Sequence, residues 1–521
     1  MNARCSPPEW TDTTIKTGLD PLGMQNSSVA LYQEMLPGIS NVTLRMRYYG
    51  LYAWLSSRYA RDVRDRKLET WKWHVRRAEL LYALIAQKRT GEGGVAGTNW
   101  AANALRDGHD PIDFGAGADP QAITPYLRQE WGAYGAAYYS QLRSIGVLTD
   151  AADTAVPMPS EDSGDDLAAA FCSGRQGICD LFFGVLNRGS VTHDELARMR
   201  PLAPSDISTS DDERAGYEDL LFGRMKNVQD GEQARRKTLL LVLHLAQQLG
   251  SRPSTNEVRW AFYTAILPNG AGLNLPSAEL QEQRESWWMY QLDDLSHMCM
   301  ESLLKYALDV LGEYPAGAHM RDLVEEATAR VVAAIPVKAT TWSNFAAGVL
   351  PVAGWGKSSD ASSEFKRVNR LLNAARPNGC MQGVDALNAI ELLIILGKRA
   401  TENPACFDRY GKDIAPGDAG RSVHSELAFI NSVKDRPFSE VVARLIRDRV
   451  LNRHLWVAMR KLRYQGDYTF LVEDDDGRIR LREKDGPVMT TPRLDTSLTF
   501  LKDIHLLDDK GITALGLRLI A

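Results

Sequence analysis

The sequence predicts a mainly α-helical, multidomain protein with winged-helix-like or helix-turn-helix-like modules and a small C-terminal β element. Apolar residues recur at helical spacing along most of the chain, whereas strand-like alternation is clear only in YTFLVEDDDGRIRLRE (468–483). With 521 residues, the chain has room for about three domains. We expect an N-terminal helical domain over residues 1–150, a central helical domain over 151–335 and a C-terminal helical and winged-helix-like domain over 336–521.

The composition is typical of a water-soluble protein. Hydrophobic residues make up 44% and charged residues 24% of the chain, and the net charge is −5, so no overall basicity points to a nucleic-acid partner. The six cysteines are too scattered for a disulfide framework, and Cys172 and Cys179 match no familiar zinc spacing. The start lacks the apolar segment of a signal peptide, and the apolar runs are far below the ~20 residues that cross a membrane. We therefore expect a cytoplasmic protein with reduced thiols.

The first predicted helix carries arginines and aromatic rings on several faces. Helical spacing groups Leu44, Tyr48, Leu51 and Leu55 on one face, which is predicted to be core. A second stripe contains Arg45, Tyr49 and Tyr52, and a third contains Arg47, Trp54, Arg58 and Arg61.

Two segments concentrate positive charge. Residues 45–77 carry a local net charge of +7, and residues 444–463 carry +6. Basic residues interleaved with aromatic rings can contact phosphates while the rings stack on bases, so both segments favour a DNA-binding surface. The alternative is two solvated helix faces whose rings belong to the core. The predicted contacts to the DNA backbone are Arg45, Arg47, Arg58, Arg61, Arg453, His454, Arg460 and Lys461.

Three segments resemble small DNA-binding modules. LKDIHLLDDKGITALGLRLI (501–520) follows a predicted Thr491 cap with Pro492 at the first helical position, and LRSIGVLTD (142–150) repeats its pattern. LAQQLGSRPSTNEVRWAFY (245–263) is typical of a helix-turn-helix, with Gly250 in the turn and a capping box from Ser254 to Glu257. Winged helices also serve as protein-docking units, and small helical hairpins mimic them.

The loop GLDPLGMQN before the first helix combines Gly18, Asp20, Pro21 and Gly23. With Gln25 and Asn26, it predicts a carboxylate and two amides held rigidly in a pocket. The loop resembles the water-activating loop of uracil-DNA glycosylases. The alternative is a turn in which Asp20 caps a neighbouring helix.

Several familiar catalytic patterns are missing from the sequence. AGWGKSS (353–359) ends like a phosphate-binding loop, but Pro351 occupies the position of the first required glycine. No HExxH motif, nucleophile-elbow serine or compact set of metal ligands occurs. EDDDGRIRLREK (473–484) loosely suggests the carboxylate set of a nuclease, although the same residues suit a solvated hairpin. We expect no metal and no nucleotide cofactor.

The segment from Gly18 to Leu55 resembles the N-terminal signature of large, mainly helical bacterial proteins that occur with anti-phage systems. The matching residues are Pro37, Gly38, Ser40, Asn41, Thr43, Arg45, Arg47 and Tyr48. The resemblance covers about forty residues and extends more weakly to NRHLWVAMRKL and the C-terminal module. Within that group, the chain resembles the anti-phage DNA glycosylases that excise α-glucosyl-hydroxymethylcytosine.

This resemblance implies an enzyme that binds double-stranded phage DNA, extrudes a modified base and cleaves its N-glycosidic bond. Such cleavage requires a carboxylate that stabilises the developing sugar cation or activates water, and Asp20 is the predicted catalytic residue. The predicted contacts to the base or its sugar are Gln25, Asn26, Asn41, Tyr49 and Trp54. Two alternatives stay open, namely a non-catalytic winged-helix DNA sensor and a scaffold for a partner effector.

Overall fold

The computed structural model describes residues 20–63, 65–90, 92–151, 154–161, 163–225, 231–335, 340–357, 359–413 and 421–521. Helices hold 62% of the residues and strands 5%, which confirms the mainly α-helical class. Gly18 of the predicted loop motif and Ser358 of the AGWGKSS segment lie outside the described residues.

The helices of the first half of the chain include the basic, aromatic-rich helix predicted from the sequence, which is α2. They are α1 Gln25–Met35, α2 Arg47–Asp62, α3 Leu68–Thr90, α4 Thr98–Asp107, α5 Gly115–Ala118, α6 Tyr139–Ser144, α7 Ser163–Cys172, α8 Gln176–Arg188, α9 His193–Arg198, α10 Asp212–Leu221, α11 Glu232–Leu249 and α12 Thr255–Thr264. A π-helical segment, Tyr134–Tyr138, leads into α6, and a 3₁₀ turn, Arg200–Leu202, follows α9.

The second half begins with the 34-residue helix α13. Its helices are α13 Ala278–Leu311, α14 Met320–Ala333, α15 Trp342–Gly348, α16 Glu364–Ala374, α17 Gly383–Glu402, α18 Pro404–Asp413, α19 Val423–Val433, α20 Phe438–Arg444, α21 Asn452–Gln465, α22 Leu494–Asp503 and α23 Ala514–Ile520. A π-helical segment, Leu445–Leu451, joins α20 to α21, so the second basic segment is one nearly continuous helix.

The strands of the described residues form three small antiparallel pairs. They are β1 Ile112–Asp113 with β4 Ser190–Val191, β2 Leu148–Ala151 with β3 Thr154–Pro159, and β5 Val472–Asp475 with β6 Arg478–Leu481. The last pair confirms the hairpin predicted for 468–483. Asp476 and Gly477 both have positive φ (54° and 76°), the conformation that a two-residue hairpin turn of type I′ requires.

The described chain divides into two compact units, and neither is continuous in sequence. Among the described residues, unit 1 contains those of 20–31, 259–272 and 285–490, and unit 2 contains those of 32–258, 273–284 and 491–521. The predicted ranges 1–150, 151–335 and 336–521 do not coincide with these units.

Local predictions for the small modules are partly confirmed. Ser254 and Glu257 form the expected reciprocal capping bonds, and Gly250 ends α11 with φ +65°. The predicted Thr491 cap is wrong, because α22 begins two residues later, after Arg493 in a left-handed conformation (φ 60°). The helix–hairpin–helix order α6, β2, β3, α7 matches the expected element sequence, but a winged-helix identity stays a prediction.

The helix α2 lies in the interior of unit 2. Tyr48, Leu51 and Leu55 are fully buried, which confirms three of the four predicted core positions, whereas Leu44 is 43% exposed because it precedes the helix. Tyr48 packs against Tyr82 and other rings of the same unit. From Arg47 to Ser56 every residue of the helix is buried, so the guanidinium of Arg47 is internal as well.

The buried charge of Arg47 in α2 is neutralised by a buried glutamate. Arg47 and Glu213 lie 2.8 Å apart with fully buried side chains, and Arg47 also donates a hydrogen bond to the carbonyl of Ala203. Tyr217 and Arg175 bind the same Glu213 carboxylate. The guanidinium therefore holds α2 to α10 through side-chain contacts.

The cysteines differ from the expectation that all thiols are free. Cys172, at the end of α7, and Cys179, in α8, form a disulfide with Cα atoms 6.3 Å apart. The expectation is wrong because the short connection between these helices brings together two residues that are seven positions apart. Cys299, Cys380 and Cys406 form no disulfide. In the described ranges, no helix is long and apolar enough to cross a membrane.

We predict that Arg47→Ala lowers the free energy of unfolding by about 3–5 kcal/mol, because the substitution removes one partner of a buried ion pair. Arg61→Ala is the matched control in the same helix, since the Arg61 side chain is 65% exposed, and we expect a change within about 0.5 kcal/mol. Urea denaturation of the two variants measures both values. Equal stabilities would contradict the structural role assigned to Arg47.

Candidate functional site

A cavity of about 480 Å³ in unit 1 brings together two segments that the sequence analysis identified separately. Its volume lies within the range that small-molecule sites occupy. The lining residues are Asp20, Gly23, Gln25, Asn26, Arg421, Trp456, Val457, Arg460, Lys461, Tyr464, Gln465 and Asp467. The predicted residues Asp20, Gln25, Asn26, Arg460 and Lys461 thus share one site, which we call the unit 1 pocket.

Asp20 holds the first turn of α1. Its carboxylate accepts hydrogen bonds from the backbone N–H groups of Met24 (2.8 Å) and Gln25 (3.0 Å). These bonds satisfy donors that the helix itself leaves unpaired, so Asp20 acts as a helix cap, which was the alternative raised from the sequence. Its backbone is left-handed, with φ 47°. The cap fixes a carboxylate at the pocket wall.

The loop packs closely against α21. Gly23 has φ +65°, and a Cβ atom there would lie 3.1 Å from Val457 and 3.2 Å from Arg421. Lys461 donates a hydrogen bond of 2.8 Å to the carbonyl of Asp20. A larger residue at position 23 would therefore push the loop away from the helix.

The exposed face of α21 presents aromatic rings beside cations. Trp456 is 50% exposed, and the guanidinium groups of Arg421 and Arg460 lie 5.2 and 4.8 Å from its ring centroid. Tyr464 is 72% exposed, with the Arg463 guanidinium 5.5 Å from its ring. Such pairs combine a positive charge with a stackable surface.

His454 is internal, so its predicted contact with a DNA phosphate is wrong for this structure. The side chain is fully buried, its Nδ1 lies 3.1 Å from the carbonyl of Pro21, and its Nε2 accepts the N–H of Leu471 at 2.9 Å. These partners assign the proton to Nδ1. Burial lowers the pKa of His454 to about 4, so the ring is neutral at physiological pH.

Arg453 is also corrected from a phosphate contact to an internal residue. It is 7% exposed and pairs with the buried Glu426 at 2.6 Å. A second guanidinium nitrogen lies 2.9 Å from the sulfur of Met24, the residue before α1. Together with His454, this side chain anchors α21 to the loop.

Glu301 of α13, which was not predicted from the sequence, lies beneath the pocket wall. It is 1% exposed, and its Oε1 accepts a hydrogen bond of 2.9 Å from Nε2 of Gln25. Its Oε2 accepts the N–H of Val488 at 3.0 Å and lies 3.8 Å from Nε2 of His297. Burial raises the pKa of Glu301 to about 7, the His297 charge opposes that shift, and the nearby Asp20 adds to it.

Regular spacing in the sequence indicated both Glu301 and the exposed rings of α21, although neither was predicted. Asp294, His297 and Glu301 recur at intervals of three and four residues in α13, which places them on one face of the helix. Trp456, Arg460 and Tyr464 recur every four residues in α21. Arg421 follows a segment outside the described residues and carries no local pattern.

The base-contacting residues predicted in unit 2 are structural. Tyr49 is fully buried and donates a hydrogen bond of 2.6 Å to the carbonyl of Gly38. Trp54 is 5% exposed and packs against Phe171 and Phe182. A base cannot stack on rings that are enclosed in this way, so these two predictions are corrected.

Asn41 belongs to the same structural set. Its Nδ2 donates to the carbonyl of Thr491 at 2.6 Å, and its Oδ1 accepts the N–H of Arg493 at 3.0 Å. Both ends of the amide are therefore used in joining the signature segment to the residues before α22. A role in recognising a base does not fit these contacts.

Two of the four arginines predicted in unit 2 differ from the prediction, whereas the contacts of Arg58 and Arg61 stay predictions. Arg45, like Arg47, is buried, and it pairs with Asp503 and Glu92 at 3.1 Å each. Arg58 pairs with Asp62 and Asp180, and Arg61 pairs with Asp62. Arg58 and Arg61 line a separate cavity of about 460 Å³. Phosphate contact by Arg45 or Arg47 is incompatible with their burial.

Comparisons with known proteins identified no similar protein. No protein-family model, no curated protein and no solved structure matches the chain.

The raised pKa of Glu301 predicts a pH-dependent stability. Between pH 4.5 and about 7, the unfolded chain ionises Glu301 while the folded chain keeps its proton. The folded state then binds more protons, so the free energy of unfolding decreases as the pH rises through this window, by at most about 3 kcal/mol from this group. In the Glu301→Gln variant, the free energy of unfolding should decrease less over the same pH range, because the contribution of Glu301 is absent. Denaturant unfolding at several pH values measures it, and parallel profiles for the two proteins would contradict the assignment.

Proposed function

We propose that this protein binds DNA and takes one extruded nucleotide into the unit 1 pocket. The observation that carries the proposal is the convergence of the polar loop 20–26 with the cationic and aromatic face of α21 around one cavity. An extruded nucleotide needs a cavity for the base, rings that stack on it and cations for the flanking phosphates.

The pocket residues divide between these requirements. Trp456 and Tyr464 offer exposed rings for stacking, and Arg421 and Arg460 lie beside the Trp456 ring, where they can neutralise phosphates. Gln25 and Asn26 supply amides that can hydrogen-bond to a base or its sugar substituent. This assignment retains five of the residues predicted from the sequence and replaces those of unit 2.

The proposed reaction is hydrolysis of the N-glycosidic bond of a modified cytosine, in phage defence, as the resemblance of the signature segment implies. A water oxygen forms the new bond to C1′ of the sugar, the C1′–N1 bond breaks and its electron pair leaves with the base. The water gives up one proton and the departing base gains one. Asp20 is held by two backbone N–H groups at the pocket wall, where its negative charge can stabilise the sugar cation in the transition state.

We also propose that the segments α6–β2–β3–α7 and α22–α23 are winged-helix-like modules. Each has a helix, a hairpin or β-bridge and a second helix in that order. The bridge between Leu507 and Ile512 supplies the hairpin of the C-terminal segment.

A second candidate function is a DNA sensor without catalysis. The observation that favours it is that both Asp20 carboxylate oxygens accept backbone hydrogen bonds, as in a purely structural helix cap. The same pocket would then recognise a modified nucleotide and leave the glycosidic bond intact.

We predict that Arg460→Ala combined with Lys461→Ala weakens DNA binding and lowers its salt dependence. Each lost phosphate contact reduces the slope of log affinity against log salt by about 0.9, so the double variant should lose about two units of slope. Arg321→Ala is the matched control, since Arg321 lies in α14 of unit 1, outside the pocket lining, with an 82% exposed side chain. Fluorescence anisotropy over a salt series measures the slopes. Identical slopes for all three proteins would exclude α21 as a DNA-binding surface.

We predict that the purified protein, with EDTA present, releases free modified base from glucosyl-hydroxymethylcytosine DNA and leaves unmodified DNA intact. Asp20→Asn should reduce this release by about a hundredfold or more, because asparagine tolerates positive φ and can keep one of the two capping hydrogen bonds but removes the charge. Asp467→Asn is the control for a second carboxylate of the same pocket.

Alkali-induced strand breaks and chromatography of the released base provide the measurement. Tight binding without release, in the wild-type protein, would favour the sensor. Unchanged release by Asp20→Asn would remove Asp20 from the reaction.

A further inference from the structure

The Gln25 side chain has a fixed orientation because a buried carboxylate holds one end of its amide. Nε2 of Gln25 donates to Oε1 of Glu301 at 2.9 Å. An ionised carboxylate only accepts hydrogen bonds, so the NH₂ end of the amide, and not its carbonyl end, must face Glu301. Among the described residues, no group donates a hydrogen bond to Oε1 of Gln25, and Gln25 lines the unit 1 pocket. The free carbonyl oxygen is therefore available to a ligand.

Glu301 is itself held from several directions. The N–H of Val488 donates to its Oε2 at 3.0 Å, and His297, whose Nε2 lies 2.8 Å from the carbonyl of Val488, stands 3.8 Å from the same oxygen. The other charged groups that act on it are Asp20 from the loop and Lys461 from α21. The carboxylate cannot turn away without leaving the Val488 N–H unsatisfied, so it acts as a rigid support.

We propose that Glu301 is a positioning residue that makes the unit 1 pocket select ligands with an amino group. By fixing the NH₂ end of Gln25, it leaves an acceptor in the pocket, which favours an exocyclic amino group over a carbonyl at the same place. The inference rests on the proposed function for the nature of the ligand, a nucleobase, and it adds the chemical feature by which the base is chosen. Glu301 acts through Gln25 and does not touch the ligand.

The selection depends on pH. A protonated Glu301 can donate its own proton to the carbonyl of Gln25, which allows the amide to turn and to offer NH₂ to the pocket. Because burial raises the pKa of Glu301 to about 7, the preference for amino groups is full above that pH and declines below it. His297, whose pKa is raised by Glu301 and Asp294 against the effect of burial, titrates next to it and favours the ionised carboxylate while it is charged.

The experiment compares ligands that differ only in one amino or carbonyl group. The probes are cytidine and uridine as free nucleosides, and DNA duplexes with a single unpaired cytosine or uracil. We expect the wild-type protein to prefer the cytosine probe by about tenfold at pH ~8, the effect of one hydrogen bond, and to lose most of this preference at pH ~6.

Glu301→Gln should show a ratio near one at both pH values, because a neutral amide can donate to Gln25 and releases its orientation. Gln25→Met should show the same loss at both pH values. Glu364→Gln is the matched control, since Glu364 is an equally buried carboxylate of unit 1 that pairs with Arg399 and lies outside the pocket; it should keep the wild-type ratio and its pH profile. Circular dichroism at both pH values checks that every variant is folded.

The outcomes separate this inference from the proposed function. Preference for cytidine without binding of DNA would support the role of Glu301 and overturn the proposed function. DNA binding with no difference between the cytosine and uracil probes would overturn the role of Glu301 and leave DNA binding in place. Absence of any preference, or a preference that Glu301→Gln keeps at both pH values, would equally overturn it.

Discussion

Arg47 and Glu213 lie in the interior of unit 2, and a buried charge is stable only where an opposite charge and hydrogen bonds replace its water. This constraint organises both units. The two residues are 166 positions apart, so satisfying them joins α2 to α10. In unit 1, the same requirement for an opposite charge pairs Arg259 of α12 with Asp294 of α13. It also pairs Lys305 with Asp309 within α13. These buried charges also support the unit 1 pocket, because Glu301, which holds Gln25 at the pocket wall, belongs to the same helix, α13.

The sequence predicted the helical class and several local features, because these depend on neighbouring residues. Helical spacing located the core of α2, alternation and Gly477 located the β5–β6 hairpin, and the Ser254 box located the start of α12. The burial of the signature arginines could not be predicted in this way. An arginine on a solvated face and one paired with a distant glutamate have the same local pattern, and only the fold reveals Asp503 or Glu213 beside them.

In the candidate site, too, the local features were predictable from the sequence and the long-range contacts were not. The loop 20–26 and the basic helix α21 were both identified, from a rigid polar motif and from local charge, but nothing in the sequence indicated that they share a cavity. Their proximity depends on contacts such as Lys461 with the Asp20 carbonyl, 441 positions apart. Glu301 carried a spacing signal, yet only burial reveals why its chemistry differs from that of the surface acids. The signature segment, in contrast, is explained as internal structure by Gly38, Asn41 and Arg45.

The discontinuity of the units has a consequence for biosynthesis. The pocket unites residues from Asp20 to Asp467, so all the residues between them must leave the ribosome before the site can form. At about 5–20 residues per second, this interval lasts roughly 20–90 s. During that time, the loop and the first turn of α1 exist without the helix that covers them, while the residues of unit 2 emerge in between. A binding site that needs residues from both ends of this interval keeps chains that stop before Asp467 without a complete pocket.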